Sequence, residues 1–315
     1  MKKFLLLLLI PLIGYARIIP KTSNNDNPSI GANSLVLYQY NSKEEKGIDL
    51  QELYLIFGGD IHPSFNSMIY ISIAEETGGS YKIDPTTAII RTTSWENFTL
   101  MSGRWFIDIG RHNPYFTFQF PFITQPELIT KVFGPSALIG IGVALEWVLP
   151  TSWQSDLKLE LTQVDNPTFF ESDDDSYLGD IRWENSWDFS ESNKFELALS
   201  YGRAEKRIDV WGADFKYSWH PDKKVLEWVG EYLAKDQVSG FYSHLRSEVF
   251  KNWWLQYRFD YTDTESIIKK HTALFAWVPS DKLAIRMQLD SINGNEESVL
   301  LQLNIGIGSF SENTY

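Results

Sequence analysis

Residues 271–290 read HTALFAWVPSDKLAIRMQLD. After Pro279-Ser280-Asp281, which has the composition of a turn, Leu283, Ile285, Met287 and Leu289 alternate strictly with Ala284, Arg286, Gln288 and Asp290. That is the two-residue period of a β-strand, whose successive side chains leave opposite faces. One face must meet apolar surroundings and the other water or fixed charge. A soluble sandwich and a wall embedded in lipid both satisfy this, so the choice falls to the rest of the chain.

The same pattern recurs through the second half. Trp253, Leu255, Tyr257, Phe259 and Tyr261 alternate with Trp254, Gln256, Arg258 and Asp260; Phe195, Leu197, Leu199 and Tyr201 alternate with Lys194, Glu196, Ala198 and Ser200. Ile181 and Trp183 alternate with Arg182 and Glu184, and Val299 to Ile307 carry an apolar residue at every second position. Tight polar turns at 149–152, 190–193, 220–222, 251–252 and 279–281 follow every second strand, and the intervening connections include a long one at 111–137 and an acidic one at 164–176. Short turns on one rim and longer loops on the other are the asymmetry of an outer-membrane barrel. Counting up and down from Leu35 gives about sixteen strands, with fourteen to eighteen as the range, each about ten residues long and so able to cross a bilayer when tilted. The expected fold is therefore all-β, a closed antiparallel transmembrane β-barrel. A soluble periplasmic β-protein is the alternative, and its strands would average nearer five or six residues.

The N-terminus agrees with export. Met1-Lys2-Lys3 is basic, Phe4 to Ile13 is apolar, and Gly14-Tyr15-Ala16 offers the small residues of a cleavage site, so residues 1–16 read as a signal peptide. Residues 17–33 are then expected as a flexible N-terminal segment and 34–315 as the barrel. The chain of 315 residues has no cysteine, which excludes thiolate metal sites and a cysteine nucleophile and points away from the disulfide-bearing secreted domains. Its formal charge is −13, and losing Lys2 and Lys3 with the signal leaves −15; nucleic acid is thereby excluded as a partner, because phosphate binding needs clustered Lys and Arg. Aromatic residues make up 15% of the chain, including 12 Trp and 15 Tyr, a load that suits the aromatic girdles of a membrane barrel. The C-terminal Tyr315 is in phase with Ile305 and Ile307, as the outer-membrane assembly machinery commonly requires of a last strand.

Three stretches carry a family resemblance: Gly47 to Leu53 with Asp60 to Phe65, Gly103 to Asn113, and Phe133-Gly134-Pro135 through Val148-Leu149-Pro150. They resemble porin-like outer-membrane proteins of Gram-negative bacteria, some described as porins and others as metal-regulated receptors. The resemblance implies a channel for passive diffusion of small hydrophilic solutes or ions, in contact with outer-membrane lipid and lipopolysaccharide and assembled by the outer-membrane machinery, with homo-oligomerisation open. Relatives carry histidines after the G-x-x-N segment and near the C-terminus; here those stretches read Tyr115 to Phe120 and Ser309 to Asn313, so the metal role that the family implies lacks its histidines.

Candidate sites follow from the pattern. On the polar faces lie Lys158, Glu160, Arg182, Glu184, Glu196, Asp214, Lys216, Glu227, Glu231, Arg246, Glu248, Arg258, Asp260 and Arg286, expected to line the lumen, where acids outnumber bases and favour a mild cation preference. Alternatively these charges simply pair across strands and brace the wall. The connection 111–137 holds Phe116, Phe118, Phe120 and Phe122, too apolar to float in water. It is expected to fold into or over the pore as a constriction presenting Arg111, His112, Glu127 and Lys131, with packing on a neighbouring rim as the alternative. Asp165, Glu171, Asp173, Asp174 and Asp175 form an acidic loop, read as solvated rather than as a calcium loop. The histidines at 62, 112, 220, 244 and 271 lack ligand spacing and read as rim or turn residues. No cofactor is implied and a metal role stays undetermined. An enzyme is the rival class: Ser243 precedes His244, but adjacent strand residues face opposite sides, and no G-x-S-x-G elbow is present. A structural or adhesive barrel is the second alternative, favoured if Arg–Glu pairs pack the lumen shut.

Overall fold

The computed structural model describes residues 28–41, 45–75, 79–170, 176–205, 208–221, 225–294 and 296–309. Residues 1–16, 171–175 and 310–315, which include the expected signal, four of the five acids of the acidic loop and the terminal tyrosine, lie outside them.

The described residues form sixteen strands: β1 (Ser29–Asn41), β2 (Glu45–His62), β3 (Phe65–Glu75), β4 (Tyr81–Thr92), β5 (Phe98–Phe106), β6 (Ile139–Val148), β7 (Gln154–Val164), β8 (Ser176–Ser190), β9 (Asn193–Ala204), β10 (Asp209–Trp219), β11 (Leu226–Lys235), β12 (Val238–Phe250), β13 (Trp253–Asp263), β14 (Ile267–Ser280), β15 (Leu283–Ile292) and β16 (Glu296–Gly308). Each pairs antiparallel with its neighbours in chain order, and β1 closes the ring on β16, with Gly31 opposite Gly308 and Asn41 opposite Ser298. Closure is what the sequence demands, because an open edge would leave a row of unpaired N–H and C=O groups.

The opening stretch shows why the pattern specifies the wall. In β15, Ala284, Arg286, Gln288 and Asp290 are buried inside, whereas Ile285, Met287 and Leu289 are exposed outside. The outer surface repeats this as an apolar belt of Leu159, Ile181, Leu199, Leu255 and Leu301. Rings meet at both margins. Near the short turns run the contacts Trp153–Trp187, Trp187–Phe195, Phe215–Trp228 and Trp253–Phe275; near the loops, Tyr201–Trp211 and Phe241–Tyr261. Such girdles suit the two interfaces of a bilayer, where a ring meets hydrocarbon on one side and headgroups on the other.

Two boundaries differ from the sequence reading. The barrel begins at Ser29 rather than residue 34, because Ser29 to Asn33 pair with Gly58 to Tyr54 of β2 while Gly31 to Asn33 also pair with Gly308 to Gly306 of β16. A closing strand is held from both sides and so extends as far as its neighbours do. The turn expected at 279–281 falls instead at Asp281-Lys282, and Pro279 stays within β14. The register slips between Trp277 and Ser280, and a bulge of this kind tolerates a residue that lacks an N–H.

Two short helices interrupt the loop rim: α1 (Glu127–Phe133) between β5 and β6, and α2 (Pro167–Phe170) between β7 and β8. No described helix is long and apolar enough to cross a membrane.

Candidate functional site

The connection between β5 and β6 turns into the barrel and crosses its interior. Its neck is closed by Ile107, whose N–H donates to the Leu138 carbonyl at 2.9 Å. Asn113 locks that neck from within: its Nδ2 donates to Ile107 O at 2.7 Å and Leu138 O at 3.0 Å, and its Oδ1 accepts from Leu138 N at 2.8 Å. Gly110 makes the inward bend with φ of 73°, and a Cβ there would sit 2.0 Å from Glu231 Oε1. Only glycine meets both conditions, the left-handed backbone and the close approach to the wall.

Beyond the bend the wall grips the loop through buried charge. Arg111 donates from Nε to Asp214 Oδ1 and from Nη1 to Glu196 Oε2, both at 2.9 Å. Asp214 is shared with Arg182, whose Nη1 lies 2.7 Å from Oδ2. Glu160 accepts from Trp105 Nε1 at 2.5 Å and from the Asp108 N–H at 2.7 Å, with Lys158 Nζ 2.8 Å away. Glu231 takes the His112 N–H at 3.1 Å and the Tyr242 hydroxyl at 2.7 Å. Each carboxylate thus caps a loop N–H or pairs with a cation, which meets much of the cost of holding charge away from water.

The far half of the loop divides the interior. Phe116 and Phe118 pack with Tyr54 and Tyr70 on the apolar inner face of β1–β6, where Leu35, Ile56, Met68 and Met101 are also buried. On the opposite wall, Arg286 Nη1 donates to Phe120 O at 2.7 Å, Gln288 accepts from Ile123 N at 2.7 Å, and Arg258 Nη1 donates to Thr124 O at 2.7 Å. Asp260 accepts the Glu127 N–H at 3.0 Å. Helix α1 then buries Leu128, Ile129, Val132 and Phe133 against α2 and the loop-side ends of the wall. Lys235 donates to the Phe169 carbonyl at 2.9 Å and so pins α2 in place.

Of the residues expected to line the lumen, Lys158, Glu160, Arg182, Glu196, Asp214, Lys216, Glu227, Glu231, Arg246, Arg258, Asp260 and Arg286 all lie on the inner face and are buried. Glu184 is less covered, with a side chain 36% exposed, and Glu248 braces a turn by accepting the Asn252 N–H at 2.7 Å. The charges pair across strands, as in Lys216–Glu227 at 2.5 Å and Arg246–Glu227, and along one strand, as in Arg258–Asp260 at 2.9 Å on β13. Of the loop residues, Arg111 and His112 are buried rather than presented to open water; Glu127 and Lys131 pair at 3.7 Å across one turn of α1, with Lys131 42% exposed.

Two histidines correct the rim reading. His112 and His244 are both buried inside, the first because Gly110 and Asn113 turn the loop inward, the second because it shares the inward parity of Tyr242 and Arg246 on β12. That parity was readable from the sequence; the inward loop was not. Burial and the nearby Arg258 push the His112 imidazole well below its usual pKa. Ser243 lies on the outer face, its hydroxyl 2.9 Å from Trp228 Nε1, so Ser243 and His244 do not form a dyad.

Between the loop and the β10–β12 wall lies a small cavity, lined by residues that include Arg111, Tyr115, Lys216, Glu227, His244 and Arg246. It sits on the turn side of the interior, because Lys216, Glu227 and Arg246 occupy the turn-side halves of their strands. The loop side above it is filled by α1, α2 and the apolar cluster around Leu233.

No family model matches the chain, and no curated protein matches it. Solved structures do. The anion-selective porin from Comamonas acidovorans aligns with TM-score 0.59 at 10% identity, covering 89% of this chain and 100% of that one. The fold is that of the outer-membrane porins. OmpF of Salmonella typhi and OprB of Pseudomonas putida align equally well, with TM-score 0.59 at 8% and 9% identity, over 89% of this chain and 97% and 92% of theirs. At such identities the porin fold is the shared property.

Proposed function

We propose that this chain is an outer-membrane channel for passive diffusion of small hydrophilic solutes or ions, narrowed by residues 107–138. The observation that carries the reading is the inward loop, tied to the inner wall from Trp105 and Glu160 round to Arg286 and Asn304. A wall needed only as a scaffold has no use for a charged interior built around one crossing segment. The porin fold and the girdled apolar belt support placement in the outer membrane after export. Transport is then passive: fixed charge on the wall and the loop set what passes, and no cofactor takes part.

A mild cation preference belongs to the proposal. Arg111, Arg182, Lys216, Arg246 and Arg258 are matched by carboxylates, whereas Asp180 and Glu231 are buried without an ion pair among the described residues. Among the residues expected to line the lumen, eight acids stand against six bases, and this excess carries the preference. Single-channel current of the refolded protein in a planar bilayer, with the reversal potential read across a salt gradient, tests both parts: discrete steps with cation bias support the reading, and silence from protein shown to be folded by heat-modifiable gel mobility removes it.

One observation favours a second reading. The paired charges and the seal made by α1 and α2 fill much of the interior, as a structural or adhesive barrel would have it. Bilayer silence in folded protein is the result that reading expects. An enzymatic role draws no support, since Ser243 and His244 stand on opposite faces of β12.

A further inference from the structure

We propose that the cavity between the loop and β10–β12 is a binding site for a small oxyanion, a phosphate or the carboxylate of a short organic acid, carried by the channel. This rests on the channel reading and adds a substrate class to it.

Three cationic side chains, Arg111, Lys216 and Arg246, line the cavity, against the single carboxylate of Glu227. The local balance therefore favours an anion. Arg111 decides the chemistry. Its guanidinium is 7% exposed and spends Nε and Nη1 on Asp214 and Glu196, while Nη2 has no hydrogen-bond partner. A buried guanidinium with a spare N–H group is costly unless an acceptor arrives, and its planar fork suits oxyanion geometry. His244 and Tyr115 add polar groups to the same lining. The cavity is small, which fits a compact anion rather than a sugar chain.

Glu227 supplies a test with a distinctive sign. It pairs with both Lys216 and Arg246, so it competes with any incoming anion for the same cations. In Glu227→Gln, inorganic phosphate should bind at least threefold more tightly than in the wild type. In the double variant Lys216→Gln/Arg246→Gln it should bind at least tenfold more weakly, and Lys82→Gln, exposed on β4, should leave it unchanged. Titration calorimetry on the refolded full chain in detergent reads all four, with acetate in a parallel arm to separate phosphate from carboxylate preference and heat-modifiable mobility to certify the fold. Saturable binding with that order of affinities supports the site. Absence of saturable phosphate or acetate binding in folded wild type overturns it, as does Glu227→Gln binding no more tightly than wild type, which needs no loss of a cation and so survives a misfolded double variant. Planar-bilayer recording separates this from the channel reading. Conductance without binding removes the site and leaves the channel; binding without conductance leaves the site and removes the channel.

Discussion

Arg111 Nε lies 2.9 Å from Asp214 Oδ1, and the two side chains are 7% and 0% exposed, so a loop residue and a strand residue more than one hundred positions apart form one buried unit. Removing one partner of such a pair costs about 3–5 kcal/mol, since the other charge is left without compensation. In Asp214→Asn, Arg111 keeps only Glu196 and Arg182 keeps only its longer pairs with Asp108 and Glu184, so part of that cost applies and the loop is expected to loosen from the wall. Trypsin cleavage after Arg111, slow in the wild type, should become rapid while the barrel keeps its heat-modifiable mobility. Unchanged cleavage would show that the pair does not hold the loop.

Asn113 tests the neck. Its side chain makes three hydrogen bonds to Ile107 and Leu138, and Asn113→Ala leaves buried backbone groups without partners at about 1–3 kcal/mol each. Asn113→Asp keeps the acceptor for Leu138 N but loses both donors and adds a buried charge. Both variants should raise proteolysis within the loop, with aspartate the worse; equal resistance in all three proteins would remove the clamp from the account.

Gly110→Ala should act at the same point through geometry alone. The backbone at φ of 73° and the 2.0 Å approach to Glu231 Oε1 forbid a methyl group without movement of wall or loop. Shortening the wall side chain in Gly110→Ala/Glu231→Ala relieves the clash but leaves the backbone strain of about 1 kcal/mol and removes the acceptor of the His112 N–H and the Tyr242 hydroxyl. Channel noise and cleavage should therefore recover in part and not fully, a split that a purely steric or purely backbone effect would not give.

His112 gives the loop a pH dependence. Its pKa is lowered by burial first and by Arg258 second, so the released imidazole binds a proton more readily than the seated one. The sign follows: seating of the loop is fully stable above the free-histidine pKa of about 6.5 and weakens as pH falls below it, by up to about 1.4 kcal/mol per pH unit for one proton. Loop cleavage should accelerate from pH 7 to pH 5 in the wild type and much less in His112→Phe. A pH-independent wild type would contradict this.

Much of the barrel was legible because alternation is a local signal. Leu283 to Asp290 alone separate outside from inside, and the turns after every second strand give the count. The inward set of charges follows from the same parity. What the sequence withheld is long-range. Asn304 meets the Phe118 carbonyl across 186 residues and Ile123 meets Gln288 across 165, and no local period encodes which wall residue faces which loop atom. The burial of His112 and the gap left beside Arg111 follow from that crossing. Pro279 misled for a different reason: it resembles a turn residue, and only the slip in pairing after Trp277 keeps it in a strand.

The central claim is that the loop between β5 and β6 narrows a conducting barrel, and the most direct measurement is single-channel conductance with residues 114–128 deleted beside the wild type, both proteins shown to be folded. Expected is a several-fold rise in conductance with weaker ion selectivity, because the segment bridging Tyr54 to Asp260 is gone and the wall remains. Equal conductance in the two proteins would contradict the claim and leave the loop as packing alone.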